Sequence, residues 1–155
     1  MEIYLYVLQL DVNVKRKLEF ILWECRKANI VYLRKLEKGG ADMPRTMQSL
    51  IERYVSEVQK VYGSHLRKII LYGSYARGDF KTDSDVDILI LLDILELEIK
   101  EYRHLLSDMT YDFNMDYNLD IKPIAKSEKH FLKWVRNYPF YTNISREGVV
   151  LYAAA

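Results

Sequence analysis

Residues 66–92 read LRKIILYGSYARGDFKTDSDVDILILL. Leu66 to Tyr72 is rich in β-branched and aliphatic side chains and predicts a strand that runs straight into Gly73. Gly73 permits a tight turn in which backbone can approach a ligand. Ser74 adds a hydroxyl beside N–H groups newly exposed at the predicted start of a helix, which suits a phosphate. Val86 to Leu92 predicts a second strand, so nearly apolar throughout that it belongs at the centre of its sheet. Two apart on that strand, Asp85 and Asp87 project from one face while Val86 and Ile88 turn into the core. The two carboxylates repel each other unless a cation lies between them. A hard, oxygen-seeking ion such as Mg²⁺ meets that need and also carries substrate phosphates.

Downstream, Asn118 to Ile124 (NLDIKPI) alternates as a third strand, with Asn118, Asp120 and Lys122 on one face and Leu119 and Ile121 on the other. Pro123 marks it as an edge strand or one near its end. If this strand neighbours the one bearing Asp85 and Asp87, Asp120 completes a carboxylate triad; Asp112 and Asp116 lie nearby, but only Asp120 falls inside the predicted strand. Three carboxylates around metal ions can activate an attacking hydroxyl and stabilise a leaving pyrophosphate.

Upstream, Pro44 precedes a predicted amphipathic helix with Met47, Leu50, Ile51, Tyr54, Val55, Val58 and Val61 on one face, and Gly63 is placed to end it. Residues 1–40 predict a strand–helix extension: IYLYVLQL at 3–10, then apolar residues at helical spacing up to Gly39-Gly40. Further helices are expected from about Glu96 to Asp112 and after Ser127-Glu128, followed by a short tail, Phe140 to Tyr152. The expected class is α/β (α+β), a small mixed sheet flanked by helices, with an N-terminal extension over 1–40 and a core domain over 44–152.

Composition narrows the function classes. At 155 residues the chain fits one domain with a real core, half its residues being hydrophobic (50%). A net charge of only +1 lacks the basic footprint of non-specific nucleic-acid binding. Cys25 is the only cysteine, which excludes a disulfide framework and fits a reducing cytoplasm. No apolar run approaches bilayer length, and the apolar start lacks the flanks of a signal peptide.

Gly73-Ser74, ten residues, then Asp85-Val86-Asp87 resembles the GS-x10-DxD signature of the polymerase-β-type nucleotidyltransferase superfamily. The form GSYARGDFKTDSDVDILI, with Arg77, Gly78 and Ser84 also matching, is most similar to its minimal (MNT) branch; the resemblance spans roughly 44–152, including the ending ISREGVVLY. It implies that Gly73 and Ser74 hold a triphosphate, with Arg77 and Ser84 beside the nucleotide. It implies Mg²⁺ on Asp85 and Asp87, and Asp120 as third ligand or base. It also implies ATP as substrate and a HEPN-domain toxin as partner in a hetero-oligomer, the toxin being silenced by AMP placed on a tyrosine. Direct contact with nucleic acid or membrane is not expected.

Plainer readings stand beside these. A DxD alone occurs in turns and calcium loops, but an unpaired carboxylate inside an apolar strand is costly. Arg77 is as well suited to an ion pair with Asp79 or Asp83 as to a phosphate. Tyr75 is as well placed to pack the turn as to approach a nucleotide. His65, His104 and His130 have no ligand spacing, and Trp23, Cys25 and Trp134 read as packing residues. The other functions in play are a small-molecule nucleotidyltransferase, such as one modifying an aminoglycoside, and a non-catalytic antitoxin that acts by occlusion.

Overall fold

The computed structural model describes residues 43–154. The expected extension over 1–40, with its strand, Trp23 and Cys25, lies outside the described residues. The element order is α1 Arg45–Tyr62, β1 Leu66–Tyr72, α2 Gly73–Arg77, β2 Val86–Leu92, α3 Glu96–Ile99, α4 Arg103–Tyr117, β3 Ile121–Ser127, α5 Glu128–Trp134, α6 Pro139–Glu147 and β4 Val149–Ala153. The strands form one mixed sheet, ordered β3-β2-β1-β4. β1 runs antiparallel to both β2 and β4, whereas β2 and β3 are parallel.

The expected centrality of β2 follows through: six of its seven residues are buried, and Asp87 is the exception. Its alternation places Leu89 and Leu91 with Ile70 of β1 under Phe131 of α5 and Tyr141 and Ile144 of α6. Ile69, Leu71, Ile88 and Ile90, almost wholly buried, face the other way. There α1 packs on β1 and β4, and α4 packs on α1 and β3. Between those helices Tyr54 meets Thr110 through a buried 2.7 Å hydrogen bond and Phe113 edge-on. α1 buries Ile51, Tyr54, Val55 and Val58, as its periodicity predicts, and ends at Gly63 with φ +53°.

Three boundaries differ from the sequence reading. The helix expected over 96–112 is divided, with a 3₁₀ turn at Lys100–Tyr102, and α4 runs on to Tyr117. It stops because Asn118 adopts φ 51°, a left-handed conformation that Asn tolerates better than most residues. The third strand therefore starts at Ile121, leaving Asp120 just before it. The expected tail is instead a helix and a fourth strand: Pro139 opens α6, and β4 covers the otherwise free edge of β1.

Asn114 fixes where β3 begins. Its side-chain amide donates to the Ile121 carbonyl at 3.1 Å, and its carbonyl oxygen accepts from the Ile121 N–H at 2.9 Å. Asn114→Ala strands both backbone groups in a part-buried place. It is expected to lower unfolding free energy by roughly 1–3 kcal/mol, read by urea denaturation against the wild-type chain.

Candidate active site

At the end of the sheet where β1 stops and β2 and β3 start, backbone and carboxylates meet. Gly73 follows β1 directly with φ +72°, and a Cβ built there would collide with the Asp87 carboxylate. Glycine is thus required twice, by conformation and by closeness. Tyr72 pairs with Asp87 across β1 and β2, which fixes that closeness. Ser74 lies in the first turn of α2, and its carbonyl accepts from the N–H groups of Gly78 and Asp79. Tyr75 turns inward and stacks on Phe80, centroids 4.4 Å apart and planes 6° from parallel, so it packs the turn.

The two remaining positions of the loop make local contacts. Arg77 forms an exposed ion pair with Asp79 at 3.2 Å. The Ser84 hydroxyl accepts from the Lys81 N–H at 2.8 Å, and the Ser84 N–H donates to the Lys81 carbonyl. Ser84 thereby closes the turn that delivers Asp85, which sits immediately before β2 and not within it.

Asp120 comes alongside because the Val86 N–H donates to its carbonyl at 2.8 Å, while β2 and β3 pair Val86 with Ile121 and Asp87 with Lys122. Asp85, Asp87 and Asp120 therefore gather at one end of the sheet. So does Lys122, to which the sequence reading assigned no role. Its ammonium donates to Asp85 Oδ2 at 2.8 Å and lies 3.4 Å from Asp120 Oδ2. The signal was present in the alternation that put Asp120 and Lys122 on one face.

The charges respond to this arrangement. The hydrogen bond from Lys122 is the main cause holding the Asp85 carboxyl below its ordinary range, and Lys122 is raised by its bonds to Asp85 and Asp120. Asp87 goes the other way: burial raises it first and the charge of Asp85 second, against the pull of Lys122 and Arg77. Tyr72 beside it is pushed up to about 12 by burial and by Asp87. Of Asp85 and Asp87, Asp87 is thus the one whose negative charge is less balanced.

A divalent ion fits this donor set in part. Asp85 and Asp87 offer hard oxygen donors whose repulsion a cation relieves. Lys122 stands in as a positive charge between Asp85 and Asp120. Among the described residues no three acidic, histidine or cysteine side chains form a metal cage by themselves. Nor, among those residues, is any helix long and apolar enough to cross a membrane.

Comparison with known proteins identifies the family. The chain is 35% identical over 105 residues to a Methanocaldococcus jannaschii protein that carries the name of a protein adenylyltransferase, covering 68% of this chain and 97% of that one. Protein adenylyltransferase MntA of Thermococcus cleftensis is 36% identical over 80 residues, 47% of this chain and 77% of its own. A crystal structure of a mutant MntA toxin–antitoxin complex aligns with TM-score 0.44 at 17% identity, over 66% of this chain and 73% of that chain. Residues 55–154 match the polymerase beta nucleotidyltransferase family. With that stretch holding the glycine turn, the paired carboxylates and the sheet that brings them together, the chain belongs to the polymerase beta nucleotidyltransferase family and is a nucleotidyltransferase.

Proposed function

We propose that this chain is a Mg²⁺-dependent protein adenylyltransferase that moves AMP from ATP to a tyrosine hydroxyl of a HEPN ribonuclease toxin in the cytoplasm, and so serves as its antitoxin. The observation that carries the reading is Gly73 packed against the Asp87 carboxylate, which sets the glycine turn directly beside paired acidic groups. The names of the relatives, protein adenylyltransferases, support a protein acceptor. Residues 44–152 form the catalytic domain in this reading, and residues 1–40 an extension that helps dock the partner.

In the proposed reaction the tyrosine oxygen bonds to the α-phosphorus of ATP, the bond from that phosphorus to the β-bridging oxygen breaks, and pyrophosphate departs. Gly73 and Ser74 receive the triphosphate through backbone and hydroxyl groups. Asp85 and Asp87 hold Mg²⁺, which when bound neutralises phosphate charge and favours the leaving group. Asp120, at the open side of the cluster, accepts the tyrosine proton. AMP on the toxin then adds bulk and negative charge where an RNA phosphate would bind.

Incubating the full chain with α-³²P-ATP, Mg²⁺ and the protein encoded beside it is expected to label a tyrosine of that protein. An Asp85→Ala/Asp87→Ala variant is expected to give no label. A stable complex without label would overturn the enzymatic reading in favour of an antitoxin that acts by occlusion. Absence of both label and complex would remove the toxin partner.

A further inference from the structure

Lys122 occupies a position that metal chemistry would otherwise claim. Its Nζ bonds Asp85 Oδ2 at 2.8 Å, a charge-assisted distance, and lies 3.4 Å from Asp120 Oδ2. Both carboxylates are placed by backbone: the turn closed by Ser84 delivers Asp85, and the Val86 N–H holds the Asp120 carbonyl. Lys122 is placed just as firmly. It pairs with Asp87 in the β2–β3 register, and the following Pro123 disfavours any conformation but extended, so its side chain stays on the carboxylate face. Mg²⁺ needs oxygens at about 2.0–2.1 Å in near-octahedral order. An ammonium on those same two oxygens competes for them and repels a second dication.

We infer that Lys122 is a built-in cation that takes the place of a second metal ion between Asp85 and Asp120, so that this site holds one divalent ion, on Asp85 and Asp87. The inference rests on the metal-binding part of the function proposed above and not on the identity of the acceptor. Lys122 acts here as a positioning residue: its charge lies between Asp85 and Asp120 without a bound ion, whereas an exchangeable ion would stand there only when bound. The lysine charge balances Asp120 without a bound ion.

The test is a Mn²⁺ titration of the full chain with a non-hydrolysable ATP analogue, followed by the electron paramagnetic resonance signal of free Mn²⁺. One ion per wild-type chain is expected. Lys122→Met keeps the length and removes the charge, at a side chain that is 53% exposed and so dispensable for folding. This variant is expected to bind a second ion, or to bind it about tenfold or more tighter than wild type does. Adding Asp120→Asn to that variant is expected to abolish the second ion, and Lys122→Gln to reproduce the effect of the methionine. Two ions of similar affinity on the wild-type chain would overturn the inference, as would a single ion on both wild type and Lys122→Met. No Mn²⁺ on any form would instead overturn the metal-dependent function on which the inference stands.

Discussion

Asp87→Asn is expected to reduce AMP transfer by about a thousandfold while leaving the melting temperature at or above that of the wild-type chain. The two halves have one cause. Asp87 stands at the point where β1, the Gly73 turn and β2 converge, and its charge is less balanced than that of Asp85. In the proposed function, removing its charge would remove a metal ligand, and a metal ion contributes several kcal/mol of charge stabilisation to a phosphoryl transition state; each 1.4 kcal/mol is about tenfold in rate. In the folded chain, burial and Asp85 raise the pKa of Asp87, so the ionised form opposes folding above the carboxyl's ordinary pKa. That opposition fades as pH falls through the raised value and is gone below the ordinary one, and asparagine lacks it at every pH. Single-turnover labelling and a thermal melt at neutral pH check the two halves. A variant that loses activity and also melts well below wild type would show that Asp87 is structural.

Gly73→Ala is expected to lower transfer by about a hundredfold and to destabilise the chain as well, the opposite stability outcome from Asp87→Asn. The φ of +72° is left-handed, and a Cβ in that region costs about 1–2 kcal/mol. The added methyl also meets the Asp87 carboxylate, which has to shift. Misplacing a catalytic group by about an ångström can cost about a hundredfold in rate. Steady-state labelling and urea unfolding of the same preparation measure both effects. Retention of full activity despite lower stability would mean that the Asp87 side chain accommodates the methyl and that the close approach has no catalytic role. Gly78, at φ +79° with open space around it, is the internal comparison: alanine there is expected to cost stability through conformation but to spare the carboxylate.

Much of this protein is legible in single segments. The burial of β2, the glycine turn after β1, the face of α1 and the placing of Asp87 on the face opposite Val86 and Ile88 all follow from alternation, helical spacing and turn chemistry. Those are properties of neighbouring residues, so a linear reading reaches them. The roles of Arg77 and Ser84 were less legible: each finds a partner within its own loop, Asp79 and Lys81, as well as any role beside a nucleotide. The beginning of β3 escaped because Asn118 leaves α4 left-handed and Asn114 reaches seven positions forward to clamp Ile121. The fourth strand escaped because Val149 to Ala153 gains its partner only from β1, far upstream.

The sequence by itself determined that a glycine turn ends one strand and that paired carboxylates open the next, since strand direction and alternation are local. Only the tertiary structure decided what stands between Asp85 and Asp120. Lys122 and Asp85 are 37 positions apart, and their contact depends on the parallel register of β2 and β3, which neither strand specifies alone. Register is set by which apolar faces bury together and by the clamp at Ile121. A shift of one residue would turn Lys122 and Asp120 to the opposite face and leave the acidic pair without its internal cation.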